Sequence, residues 1–263
     1  MYYLQGQTME TIARHLGVSR SSVSRLLSYA RETGLVRISV SAAPGNKGTL
    51  SGQISEIFGV QTSVVPVHDV HTEVNRLHNV SLVAAERLID MLKPGVTLGI
   101  AWGNTTSEIT RCMPRVNFPG STVVQLNGAA TATESGMPYA DAIISRAARA
   151  IGGRMVHFPV PTFFDYAETK DALWRERSVQ AVLKTIEDCD IALFGIGSLS
   201  ARLPSHVYSG GFLDTEELAA AQRDGVVGDV CTVLLRADGS WRDVALNARA
   251  TGPTPAQLAR IPR

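Results

Sequence analysis

Between Thr8 and Ala30 the apolar positions recur with a helical period, break at Gly17, and recur again. At about 100° per residue, Val23, Leu26, Leu27 and Ala30 form one apolar stripe, while Ser21, Ser24, Arg25 and Ser28 project from the opposite face. Thr8 and Ser19 stand where N-caps belong, Ala13 is small enough for a second helix to pack across the first, and Gly17 can take the positive φ of a tight turn. Gly34, after Glu32-Thr33, reads as a helix stop. Leu35-Val36-Arg37-Ile38-Ser39-Val40 then alternates apolar and polar side chains like a short strand. The pattern predicts a winged helix-turn-helix, a module that lays one helix in the major groove of DNA. The candidate DNA-binding residues are Ser19, Arg20, Ser21, Ser22, Ser24, Arg25 and Arg31; Ser21, Ser22 and Arg25 are expected at base edges, Arg20 and Arg31 near phosphates.

Beyond this module, Ser41-Ala-Ala-Pro44-Gly45-Asn-Lys-Gly48 reads as a linker, and Leu50, Ile54, Ile57 and Phe58 predict an amphipathic helix over 49–58 that ends at Gly59. From Thr62 the periods alternate. Strands are expected at Thr62–Val67, Val96–Ala101, Thr122–Leu126, Met155–Phe158 and Ile191–Phe194, with helices at 75–92, 105–112, 140–151 and 171–187 between them. This punctuation predicts an α/β domain with a mostly parallel sheet. After Val226 the character changes: Val230–Arg236, a turn at Ala237-Asp238-Gly239 and Trp241–Leu246 read as a hairpin. The expected division is 1–40 for the DNA reader, 41–60 for a linker and linker helix, and 61–263 for the larger domain.

Charge sharpens this division. The chain of 263 residues carries a net charge of +1, yet its first forty residues hold five Arg against Glu10 and Glu32. Basic character is therefore confined to the segment where phosphate contacts need it, and the larger domain shows no bias toward nucleic acid or membrane. Cys112, Cys189 and Cys231 are odd in number and lack CxxC spacing, which argues against a disulfide framework or a zinc site. No apolar run is long enough to span a bilayer, and no leader-like segment opens the chain. A cytoplasmic protein without metal or cofactor is the expectation.

The candidate chemistry of the larger domain sits in loops that follow strands: Trp102-Gly103-Asn104-Thr105-Thr106, Asn127-Gly128-Ala129 and Gly195-Ile196-Gly197-Ser198. In open α/β sheets, ligands bind outside the carboxyl ends of the strands. The first loop also opens a helix, whose N–H groups and Thr hydroxyls can hold an anion such as a sugar phosphate. Asp229 can bring a carboxylate to the same pocket or simply sit in a turn. His68, Asp69 and His71 read as a metal or acid–base cluster or as a solvated loop, and Trp102 as core or pocket wall.

Several segments, in order along the chain, closely resemble the SorC family of bacterial sugar-responsive transcription regulators: Tyr2-Tyr3-Leu-Gln-Gly6, Ser19-Arg20-Ser-Ser-Val23-Ser-Arg-Leu-Leu27, Ala30-Arg31-Glu-Thr-Gly34-Leu-Val36, Gly99-Ile-Ala-Trp102-Gly103-Asn-Thr105, Gln125-Leu-Asn127-Gly128, Gly195-Ile-Gly197 and Gly228-Asp229. The resemblance implies an effector domain similar to sugar-phosphate isomerases and assembly, usually as a tetramer, on a palindromic operator. It also implies sugar contacts from Gly103 to Thr106 and from Asn127-Gly128, with a carboxylate at about Asp229. Family members usually carry more residues before Tyr2 and continue past Ile261-Pro262 into a Gly-rich segment with an effector-contacting Lys, so a domain lacking one wall of its pocket is expected. Asn127 stands where glycolytic-type members place an Arg for a second phosphate, which disfavours a bisphosphate.

These readings converge on a homo-oligomeric transcription regulator of carbohydrate-metabolism genes that binds operator DNA under the control of a phosphorylated sugar or polyol. The expected effector residues are Gly103, Asn104, Thr105, Thr106, Asn127, Gly128, Gly197, Ser198 and Asp229. The alternative is an isomerase- or deaminase-like enzyme with a DNA-binding appendage, for which only the Asp69/His71 pair offers acid–base groups.

Overall fold

The structure, a computed structural model, describes residues 1–2, 6–32, 50–67, 72–130, 137–201 and 205–263. It divides into two compact units, Met1–Val64 and Val65–Arg263, so the expected linker helix belongs to the first.

In the N-terminal unit, α1 spans Met9–Leu16, α2 Arg20–Glu32 and α3 Leu50–Phe58. Thr8 caps α1 by accepting a hydrogen bond from the Thr11 N–H at 3.2 Å, and Ser19 caps α2 by accepting from the Ser22 N–H at 3.1 Å. Between them Gly17 lies at φ 65°, the left-handed conformation that ends α1, and its N–H returns to the Ala13 carbonyl. Ile12, Ala13 and Val23 form the buried contact, with Tyr2, Met9 and Leu27 packed against it. Leu26, expected on the apolar stripe, is 56% exposed. A crossing of two helices covers a narrow strip, and α1 takes Val23 and Leu27, one turn apart on α2, leaving Leu26 outside it. The expected stop at Gly34, the wing strand at 35–40 and the linker at 41–48 lie outside the described residues.

The larger unit holds two sheets. The first is parallel throughout, in the order β3-β2-β1-β4, with β1 at Thr97–Ile100, β2 at Thr122–Gln125, β3 at Arg154–Val156 and β4 at Ile191–Leu193. Helices α4 (Glu73–Met91), α5 (Asn104–Cys112) and α6 (Met137–Ile151) follow the expected pattern. Alternation along the strands sends Leu98, Ile100 and Val123 into a core with Leu88, Ile109 and Ile144. It sends Val124 and Leu126 into a second core with Phe158, Val179 and Ile186, giving three layers.

Four expectations change. Thr62–Val67 forms no strand; the Thr62 and Val64 N–H groups bond the hydroxyls of Ser55 and Ser51 instead. The helix expected over 171–187 is two helices, α7 (Ala167–Leu173) and α8 (Arg177–Glu187), parted where Trp174 turns in against Phe158 and Phe164. Ile196–Ser198 is a strand, β5, rather than a loop, and it pairs antiparallel with β6 at Val226–Val230. The hairpin partner of β6 is β7 at Val233–Arg236, so the hairpin closes through Cys231-Thr232. The expected turn at Ala237-Asp238-Gly239 is present, with the Gly239 N–H donating to the Arg236 carbonyl at 2.9 Å, but it follows β7 and joins no second strand. Trp241–Leu246 forms no strand because the Asn247 side chain takes its place, accepting from the Leu234 N–H at 2.8 Å and donating to the Leu234 carbonyl at 2.9 Å.

Candidate functional site

The strand order of the parallel sheet reverses at β1: β2 and β3 were added on one side, β4 on the other. Where the order reverses, the connections leaving the two neighbouring strands part to opposite faces and leave a crevice at their carboxyl ends. A cleft of about 180 Å³ opens there, lined by Trp102 to Thr106 after β1, Asn127 after β2, Gly195 to Ser198 after β4, and Asp229, Cys231 and Thr232 from the β6–β7 hairpin.

Two acceptors form its floor. Asn127 is 1% and Asp229 4% exposed, yet among the described residues Asn127 Oδ1 and Asp229 Oδ1 find no hydrogen-bond partner. Leaving such atoms unpaired costs about 1–3 kcal/mol each, which a ligand hydroxyl would recover. Burial pushes the Asp229 carboxyl above its ordinary range, and the neighbouring Tyr208, Thr232 and Ser205 donors hold it back in part. The Thr232 N–H donates to Oδ2 at 3.2 Å. Gly197 keeps the space in front of Oδ1 open: a Cβ there would stand 1.9 Å from that oxygen.

The turn that carries Thr232 is strained. Cys231 at φ 50° and Thr232 at φ 72° both occupy the left-handed region, which a β-branched residue rarely enters. A two-residue hairpin with this twist demands it, and the bond to Asp229 fixes it. Across the cleft, α5 begins at Asn104 with Gly103 as a cap that offers no side-chain acceptor, so the cap residue takes none of the first N–H groups of the helix. Thr106, expected to offer its hydroxyl, donates it to the Gly103 carbonyl at 3.1 Å; Thr105 remains at the mouth. Trp102 forms the wall, stacked on Phe212 with ring centroids 4.8 Å apart and anchored by its Nε1–H to the Gly128 carbonyl at 2.7 Å.

In the N-terminal unit, Ser21, Ser24 and Arg25 are exposed on α2, and Ser22 is half-buried. Arg20 forms an ion pair with Glu10 at 2.9 Å, tying α2 to α1.

Residues 44–263 match the Sugar-bind family, a sugar-binding domain, and residues 1–33 match Sigma-70, region 4. The chain is similar to the deoxyribonucleoside regulator of Bacillus subtilis (strain 168), at 29% identity over 96% of this chain and 79% of the relative. A crystal structure of a domain of a possible sugar-binding transcriptional regulator from Arthrobacter aurescens TC1 has a TM-score of 0.77 and 42% identity, over 84% of this chain and 85% of that one. Full-length sorbitol operon regulator SorC of Klebsiella pneumoniae shares the fold, with a TM-score of 0.74 and 23% identity over 97% of this chain and 82% of that one. The chain belongs to the SorC family of sugar-binding transcription regulators. It joins a DNA-binding helix-turn-helix to an α/β sugar-binding domain.

Of the effector residues expected in this SorC-family chain, the cleft gathers Gly103, Asn104, Thr105, Thr106, Asn127, Gly197, Ser198 and Asp229. Gly128 stands apart: its N–H bonds Thr251 and its carbonyl is taken by Trp102 and Thr162, so it braces the loop rather than facing the cavity. Ser205 and His206 line the cleft without having been anticipated. They lie at and just before α9 (His206–Ser209), a four-residue helix too short to announce itself by period. His68, Asp69 and His71 lie outside the described residues, and nothing is described of the Arg31 side chain. The three cysteines are free thiols, and no described helix is long and apolar enough to cross a membrane.

Proposed function

We propose that this protein regulates carbohydrate-metabolism genes by binding a palindromic operator as a dimer or tetramer, and that a sugar or polyol monophosphate in the cleft sets its affinity for DNA. The pair of buried, unpartnered acceptors Asn127 Oδ1 and Asp229 Oδ1 carries the reading, because sugar hydroxyls are donors matched to them. The uncapped start of α5 supports an anionic group at the other end of the ligand. Among the described residues no Lys or Arg lines the cleft; one helix terminus suits one phosphate better than two. The names of the relatives support a regulator without turnover, and acting on ketose or aldose phosphates is not its role.

Calorimetric titration with a panel of sugar monophosphates and their neutral parent sugars tests the reading. A monophosphate should bind more tightly than its parent, and Asn127→Leu should weaken both by about 10-fold or more, the loss of one to two buried hydrogen bonds. Equal binding of phosphorylated and neutral forms would remove the anion from the reading, and unchanged affinity in Asn127→Leu would place the sugar elsewhere. Turnover of any panel member would overturn the non-catalytic role.

A further inference from the structure

Away from the cleft floor, α4 and α5 bring three side chains of different chemistry to one point: His78 from the second turn of α4, and Glu108 and Cys112 from one face of α5. Glu108 and Cys112 are four residues apart, the spacing that aligns side chains along a helix, and His78 Nδ1 lies 2.8 Å from Glu108 Oε1. One nitrogen, one carboxylate oxygen and the Cys112 sulfur all lie within 4.8 Å of one another. We propose that His78, Glu108 and Cys112 form a site for a divalent cation of the zinc class, which ties α4 to α5.

The donor set supports this assignment. An imidazole nitrogen, a carboxylate oxygen and a thiolate suit zinc, with bonds of about 2.0–2.3 Å that put tetrahedral donors roughly 3.3–3.8 Å apart. With one pair at 2.8 Å and every pair within 4.8 Å, the three donors stand about as far apart as ligands of one ion do. Three protein ligands leave a fourth position for water, and His78 and Cys112 are open enough for the ion to enter. Glu108 Oε2 meets Arg111 at 3.6 Å, a second contact that holds the carboxylate in place as metal-binding carboxylates usually are held. Leu77, next to His78, and Thr105, one turn before Glu108, both line the cleft, so an ion here would fix the spacing of two of its walls.

Cobalt chloride added to the metal-free full-length chain provides the test. One equivalent of Co²⁺ should produce the visible bands of tetrahedral cobalt and a near-ultraviolet thiolate-to-metal band, zinc chloride should displace it, and zinc should raise the thermal midpoint. Cys112→Ser should lose the thiolate band, with buried Cys189 and Cys231 serving as internal controls. His78→Ala, at an exposed position that leaves the fold intact, should weaken zinc binding by about 10-fold or more. Absence of the band, its survival in Cys112→Ser, or unchanged zinc affinity in His78→Ala would each overturn the site and reduce the cluster to a hydrogen-bonded ion-pair network.

Discussion

At the scale of single residues, Asp229 shows how a polar cleft floor is kept at the expense of stability. Its carboxyl is buried with one oxygen unpaired, and burial raises its pKa above the ordinary 3.8. The fold therefore favours the neutral acid: that contribution is complete below pH 3.8 and is lost as the pH rises through the raised value. Asp229→Asn removes the charge that is costly to bury. It should raise the thermal midpoint at about pH 8 and do so less at about pH 4, while weakening sugar binding roughly 10- to 100-fold because a charged acceptor is lost. Scanning calorimetry at the two pH values checks the first effect, and equal shifts at both would show that the carboxyl is ionised without penalty. Beside it, burial first and the Asp229 carboxyl second push the Tyr208 phenol upward, so Tyr208 stays a neutral hydroxyl at both pH values.

At the scale of elements, two turns carry the sites, and both depend on left-handed backbone. Gly17 sets the angle between α1 and α2, and it can do so because it has no Cβ to clash at φ 65°. Gly17→Ala should cost about 1–2 kcal/mol, read as faster amide exchange throughout α1 and α2, with DNA affinity falling in step. Unaltered exchange would mean that the turn is held by the helix contact alone. The β6–β7 turn achieves the same conformation with Cys231 and Thr232, residues that do not prefer it, and the Thr232 N–H is thereby aimed at Asp229. On α2, the outward face carries Ser21, Ser24 and Arg25. Arg25→Ala should relax sequence choice at a cost of about 1–3 kcal/mol, whereas Arg20→Ala, which breaks the ion pair to Glu10, should lower affinity for all sequences alike. Competition binding against mutated operators separates the two, and retained discrimination in Arg25→Ala would shift base reading to the serines.

At the scale of the whole molecule, the units Met1–Val64 and Val65–Arg263 must exchange free energy if sugar is to control DNA binding. Coupling of this kind is reciprocal and typically amounts to about 1–3 kcal/mol, or 5- to 150-fold. Sugar affinity measured on free and operator-bound protein should differ by the same factor by which sugar changes operator affinity; a factor of one in both directions would leave the cleft without regulatory consequence. One recognition helix covers a half-site, so operator binding should involve two chains related by symmetry, and light scattering of the complex gives their number.

The sequence by itself determined the helix-turn-helix, because its caps, its glycine turn and its apolar stripe are local and lie within a few residues of one another. It determined the βαβ order and the loops after β1 and β2 for the same reason, and with them most of the cleft lining. Tertiary structure decided the rest. Whether Ile196–Ser198 is loop or strand depends on β6, some thirty residues on, and whether Trp241–Leu246 pairs depends on Asn247 occupying the edge first. Gly128 and Asn127 are neighbours in sequence, in one loop after β2, yet one braces the loop and the other faces the cleft. His78 and Glu108 are thirty residues apart, and no spacing rule joins them. Side chains that meet only through packed helices and sheet edges leave no period along the chain, so their chemistry becomes legible once the fold has brought them together.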